Sequence, residues 1–316
     1  MGSNKVAISS DWRMFKKGDE NNAEWHKNTV LDSGLIDWLT DQRSLEFSST
    51  SSDMQFITIA VGSGETASLK TDTSLETETY RDTIVQEFSA VVNSDDPHSP
   101  YVILGIEIPA GTDMLVISEA GICSVDDVFF NRCVLDDGFG NPASTIKLPE
   151  DVLIVQCRIT MSNPCELFTE AVELTDENTL TYSQTRTFSS IMLVDGVKRL
   201  FTKDFGRDTV WTATLGTSSA TPTELDTGVT TPIAAQVVSS DVDWRAPGLS
   251  TDGAHLHITA QINDDILHDD LNGTSFNEFA ITGGGIDMHS SWTPAFVMEG
   301  YLVNILQVTI EVEFSR

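Results

Sequence analysis

From Leu306 the chain alternates without a break. Leu306, Val308, Ile310, Val312 and Phe314 fall on one side, and Gln307, Thr309, Glu311 and Glu313 on the other. Successive side chains of a strand point to opposite faces, so this period of two predicts a strand with one dry and one wet face. The same pattern stands earlier, where Leu153, Val155, Cys157, Ile159 and Met161 alternate with Gln156, Arg158 and Thr160. Leu153 and Leu306 are 153 residues apart. Repetition at that spacing predicts two copies of one domain.

Other segments keep nearly the same offset. Val102, Leu104, Ile106 and Ile108 alternate, and Leu256, Ile258, Ala260 and Ile262 follow 154 residues later. A loop of turn-forming residues from Gly62 to Thr73 is answered by Leu215 to Thr227, with Gly62 matched to Gly216 and Asp72 to Asp226. Ile117-Ser118-Glu119-Ala120-Gly121-Ile122 then corresponds to Phe276-Asn277-Glu278-Phe279-Ala280-Ile281, where the offset has grown to 159. Since the last strands return to 153, the insertions are confined to loops.

Copy one opens with a helical phrase in which Leu31, Leu35, Trp38 and Leu39 share a face. Ile191 to Phe201 is its loose counterpart. A Ser-rich link (Ser48 to Ser52) leads to a strand over Gln55 to Val61, and Leu135 to Pro142 has the composition of a turn before the last strand of copy one. Short alternating strands, abundant Thr, Ser and Gly turns and one helix per copy predict a mainly β protein. The expected architecture is two tandem antiparallel β-sandwich domains, of jelly-roll or immunoglobulin-like topology. The expected scheme is an N-terminal arm over 1–27, domain 1 over 28–162, a linker over 163–174 and domain 2 over 175–316. The arm would dock on a neighbouring subunit or fold back as a short helix.

Bulk numbers narrow the classes. Hydrophobic residues make up 40% of the 316, enough for each half to bury a core without staples. No apolar run approaches the ~18 residues that span a bilayer. Met1 to Val6 has no apolar signal core, so the chain is expected to be soluble and made in a cytoplasm. Acidic residues number 48 against 18 basic ones, for a formal net charge of −30. That surface repels phosphate backbones and anionic membranes, so neither nucleic acid nor membrane is an expected partner. The four cysteines, Cys123, Cys133, Cys157 and Cys165, form no CxxC pair and no zinc spacing.

Candidate chemistry is sparse. There is no GxSxG and no GxxxxGK[ST], and Cys133 has no nearby histidine in sequence. His255 and His257, followed by Asp264, Asp265, His268, Asp269 and Asp270, form the best metal candidate. They lie on the face opposite Leu256 and Ile258, however, which is the wet face of that strand. Glu119 and Glu278 hold equivalent places and are expected to satisfy backbone amides at a bend rather than to carry protons. Trp211, Trp244, Trp292 and Tyr301 are candidates for a sugar platform, with core or interface packing as the plainer role. No catalytic, cofactor-binding or metal residue is assigned.

The phrases Val30 to Leu35, Ile59 to Ala67 ending in Thr71-Asp72-Thr73-Ser74-Leu75, Ile117 to Ile122, and Asp137 to Ile146 occur in an order that resembles a module of tailed-bacteriophage structural proteins. Tail-fibre, baseplate and collar-type components carry such modules. Copy two departs from the pattern, with Thr223 to Gly228 degraded and Gly283-Gly284-Gly285 in place of the Asn-Pro hairpin. The resemblance implies a virion part assembled in the host bacterial cytoplasm, with no enzymatic activity. Its partners would be itself, as a trimer or higher ring, and other virion proteins. A receptor- or glycan-binding tail module is the alternative.

Overall fold

The computed structural model describes residues 4–41, 56–88, 90–93, 99–137, 139, 141–162, 166–175, 181–193, 212–221, 226–237, 242–244, 248–249, 253–262, 275–282, 288–297 and 305–316. They are mainly β, and nearly every pairing is antiparallel. In the first half the elements are β1 (Asn4–Lys16), β2 (His26–Lys27), β3 (Thr29–Val30), helix α1 (Asp32–Asp41), β4 (Phe56–Gly62), β5 (Glu78–Thr83), β6 (Ala90–Asn93) and β7 (Tyr101–Ile108). There follow β8 (Leu115–Ile117), β9 (Glu119–Ser124), β10 (Asn131–Val134), β11 (Thr145–Lys147) and β12 (Leu153–Ser162). The second half holds β13 (Glu166–Thr175), β14 (Thr181–Met192), β15 (Thr212–Gly216), β16 (Pro232–Val237) and β17 (Val242–Trp244). It ends with β18 (Gly248–Leu249), β19 (Gly253–Ile262), β20 (Ser275–Thr282), β21 (Met288–Val297) and β22 (Ile305–Ser315).

The alternating strands pair as their periodicity demands. β12 lies antiparallel to β7 with Leu153 opposite Ile108 and Ile159 opposite Val102. β22 lies antiparallel to β19 with Leu306 opposite Ile262 and Val312 opposite Leu256. On β12 and β7 the alternating apolar members are buried and form the core of the first half with Trp12, Trp38 and Phe130, while the β12 face expected to be wet is covered too, with Ile154 and Gln156 buried. Helix α1 seats Leu35 and Trp38 in that core, and the Trp38 ring meets Phe130 edge-on at 6.3 Å. The expected helix is therefore present, with a buried stripe at helical spacing. Its counterpart begins inside β14 at Ile191, and beyond Leu193 it lies outside the described residues.

Two segments differ from expectation. Residues 4–16, read as an arm, form β1, which pairs antiparallel with β12 from Ala7 to Lys16 and parallel with β22 from Asn4 to Ala7. Val6, Ile8, Ser10 and Trp12 all face inward. Ser10 breaks the apolar alternation, and the tertiary partners override that weak local signal. Most of the segment read as a linker is β13, which pairs with β14 along its length and with the start of β22.

β1 thus sits between two long strands and supplies a large buried indole. Trp12→Ala is expected to destabilise the protein by about 3–5 kcal/mol, read from denaturant unfolding. Removing residues 1–16 should abolish the cooperative transition, whereas a detachable arm would leave it unchanged.

Candidate functional site

Every residue of β9 is buried, including Glu119. Glu119 lies opposite Gly62 of β4, where the pairing of β4 with β5 shifts register. A Cβ on Gly62 would fall 2.3 Å from the Thr77 carbonyl oxygen and 2.6 Å from Glu119 Oε1, so only glycine leaves room for the carboxylate. Oε1 accepts hydrogen bonds from the Gly64 and Thr77 amides at 3.0 and 2.7 Å. Oε2 accepts from the Glu76 amide and from Arg132 Nε, both at 3.0 Å. A carboxylate offers about four acceptor positions, and all four are filled.

Arg132 carries the arrangement outward. It is buried, and its remaining nitrogens bond Asp72 at 2.6 Å and the Thr66 carbonyl at 3.1 Å. Asp72 in turn accepts from the Leu69 amide, and Glu76 from the Thr66 amide. The loop from Gly62 to Thr77 is therefore tied to the sheet by one buried ion pair and its amides. Burying a charge is costly unless it is paired and hydrogen-bonded, and this one is both.

Glu278 repeats the arrangement. It is fully buried opposite Gly216, and a Cβ there would fall 2.3 Å from its Oε2. The Ser218 and Thr231 amides donate to Oε2 at 3.2 Å each, and the Thr230 amide to Oε1 at 2.5 Å. Ser218, Thr230 and Thr231 stand 154 residues after Gly64, Glu76 and Thr77, the donors to Glu119. Both glutamates act as expected, as acceptors for backbone amides at a bend. Burial pushes the Glu278 pKa up, but the hydrogen bonds from Thr230, Thr231 and Ser218 outweigh it and hold the group below the usual carboxylate range.

Comparison with known protein families, with characterised proteins and with solved structures finds no match. The chemistry must be read from the chain itself.

The three described thiols are shielded. Cys123, Cys133 and Cys157 are free and buried. Burial pushes the Cys123 pKa up to about 11 and that of Cys133 up to about 12, and raises Cys157 well above its ordinary value. Each stays a thiol near neutrality, and the thiolate is the reactive form. Cys165 lies outside the described residues.

Of the metal candidates, His255 and His257 sit in β19 opposite Glu313 and Glu311 of β22. The acidic turn after Ile262 lies outside the described residues. Among the described residues no group of three or more His, Cys, Asp or Glu side chains gathers as a metal site needs. Trp244 and Trp292 occupy strands β17 and β21, and Trp211 and Tyr301 lie outside the described residues.

An aromatic and cationic cluster was not legible in the sequence. The guanidiniums of Arg13 and Arg158 each lie 4.6 Å from the Trp25 ring centre, and Arg158 is also 5.9 Å from that of Tyr101. Arg158 pairs with Asp11 at 2.8 Å, and Arg13 Nε donates to Gln156. Beside the cluster a surface hollow of ~460 Å³ is lined by Glu24, Trp25, His26, Lys27, Asp136 and Asp137. The cluster joins residues more than a hundred positions apart, so only the signals at Gly62 and Glu119 could have been found by pattern.

Glu119→Ala is expected to cost about 3–5 kcal/mol, because it strands buried Arg132 and three amides. Glu278 has a folded pKa below its unfolded one. Its contribution is present above the unfolded value and is lost as pH falls through the folded one. Glu278→Gln should therefore flatten the acid limb of the stability–pH curve below about pH 4.3. For the thiols, iodoacetamide on the native protein should leave Cys123, Cys133 and Cys157 unmodified, as peptide mass mapping would show, with labelling only after denaturation.

Proposed function

We propose that this chain is a structural or adaptor protein of a bacteriophage particle, of the tail, baseplate or collar. In this reading it is built as two copies of one antiparallel β-sandwich and acts by assembly with itself and other virion proteins. One observation carries the reading: key glycine and carboxylate residues of the resembling phrases hold the framework in place. Gly62 admits the carboxylate of Glu119, Asp72 holds Arg132, and Asp137 accepts the Phe139 and Asn141 amides at the tip of its turn. Residues placed in this way serve a scaffold.

The duplicate reading is supported by the shared strand order. β5-β4-β9-β10-β3 and β1-β12-β7 in the first half match β16-β15-β20-β21-β14-β13-β22-β19 in the second. β2 pairs with β1 and β3 with β10, while the single long strand β14 pairs with both β13 and β21. In this reading β1 and β13 are the first strands of the two copies, so neither an arm nor a linker is needed.

A receptor-binding module is the second reading. Arg13, Trp25, Arg158 and Tyr101 together would suit a glycan that carries a carboxylate. That reading requires binding of sialylated or uronate-containing glycans by the isolated chain.

Light scattering in low and high salt tests assembly. A discrete trimer or larger ring is expected, favoured by salt because a net charge of −30 opposes association when screening is weak. A monomer at every salt concentration would overturn self-assembly.

A further inference from the structure

We propose that the outward face of the ribbon formed by β8 and β11 is a docking surface for an apolar segment of another protein that carries lysine or arginine at one end. In this ribbon Val116 lies opposite Ile146, Leu115 opposite Lys147 and Ile117 opposite Thr145. Directly opposed residues share a face and neighbours along a strand alternate. Ile117 and Lys147 therefore face inward, and both are fully buried. Val116 and Ile146 face outward, continued past the strand ends by Met114 and Leu148. These four side chains are 42%, 54%, 59% and 37% exposed. Four adjoining exposed aliphatic side chains on one face are the mark of an interaction site, whereas single exposed ones need no account.

The ribbon holds these side chains in place. The Lys147 ammonium is turned inward and donates to the carbonyls of Thr112 and Leu148 at 3.3 and 3.1 Å. The Gly111 amide donates to the Pro149 carbonyl at 2.7 Å, and the Asp151 amide to that of Leu148 at 3.0 Å. The backbone is thereby closed at the end that bears Met114 and Leu148. A fixed surface loses little freedom on binding.

Charge selects the occupant. Lys147 is the one cation between Asp113 and Ile117 and between Thr145 and Glu150, and it points away from the face. Asp113 and Glu150 are exposed, and the antiparallel register puts both at the Met114–Leu148 end. The stripe is thus acidic at its Met114–Leu148 end. A second copy of the same ribbon, on a chain of net charge −30, would bring like charges together. A segment with alternating apolar residues and a basic end meets both the stripe and its acidic tip.

This surface deepens the assembly reading and rests on it for the existence of a protein partner. Peptide capture tests it separately, because it does not depend on the oligomeric state. Two synthetic peptides of alternating leucine and threonine serve as probes, one ending in two lysines and its twin in two glutamates. Fluorescence anisotropy gives affinities, and the Met114 methyl resonance, assigned with Met114→Leu, reports the place of binding.

The lysine peptide is expected to saturate, to shift the Met114 methyl, and to bind roughly tenfold more tightly than its twin. Val116→Glu and Ile146→Glu should remove binding while keeping the wild-type melting temperature, since both positions are exposed. The double variant Asp113→Asn with Glu150→Gln should erase the preference between the peptides. No binding, equal binding of both peptides, or wild-type affinity in Val116→Glu would overturn the proposal. So would a chain dimer in sedimentation that Val116→Glu dissolves, because the occupant would then be a second copy.

Discussion

A carboxylate buried beneath backbone and answered by amide N–H groups is the constraint on which the described framework turns. Glu119 cannot sit where it does unless the residue opposite has no side chain, and Gly62 meets that demand. Its charge cannot stay buried unless donors converge on it, and Gly64, Glu76 and Thr77 bring theirs by folding the loop back over the sheet. The loop's path, the local shift in strand register and the position of Arg132 all meet at that carboxylate. Glu278 imposes the same conditions on Gly216, Ser218, Thr230 and Thr231. The acceptor positions of Glu119 are filled by groups of the chain itself.

The scarcity of cations gives each one weight. With 18 basic residues against 48 acidic ones, a buried cation is one withheld from a strongly negative surface. Arg132 holds three acidic side chains together and Lys147 underpins the ribbon. The surface is left with a large negative excess, whose self-repulsion grows as screening weakens.

The chain ends are joined to its middle. β1 bridges β12 and β22, and Arg316 at the C-terminus donates to the Val30 carbonyl at 3.1 Å and to Asp32. Asp32 stands at the start of α1, so Arg316 ties the chain beyond β22 to that helix. Contacts of this sequence separation pay a large loop-closure entropy before they contribute.

The sequence by itself determined the period-two strands, the helix at Asp32–Asp41 and the equivalence of Glu119 and Glu278. Each is a local regularity, either a period of two or 3.6 or a repeated phrase, and burial of one face enforces it whatever lies beyond. Tertiary structure alone decided that residues 4–16 form a strand rather than an arm, that Arg132 and Asp72 complete the Glu119 site, and that Arg13, Trp25 and Arg158 meet. It also decided which face of the short ribbon at Val116 and Ile146 is left bare. Those outcomes join positions from 13 to more than a hundred residues apart, and no short window of sequence holds the free energy of a contact whose other half lies outside it.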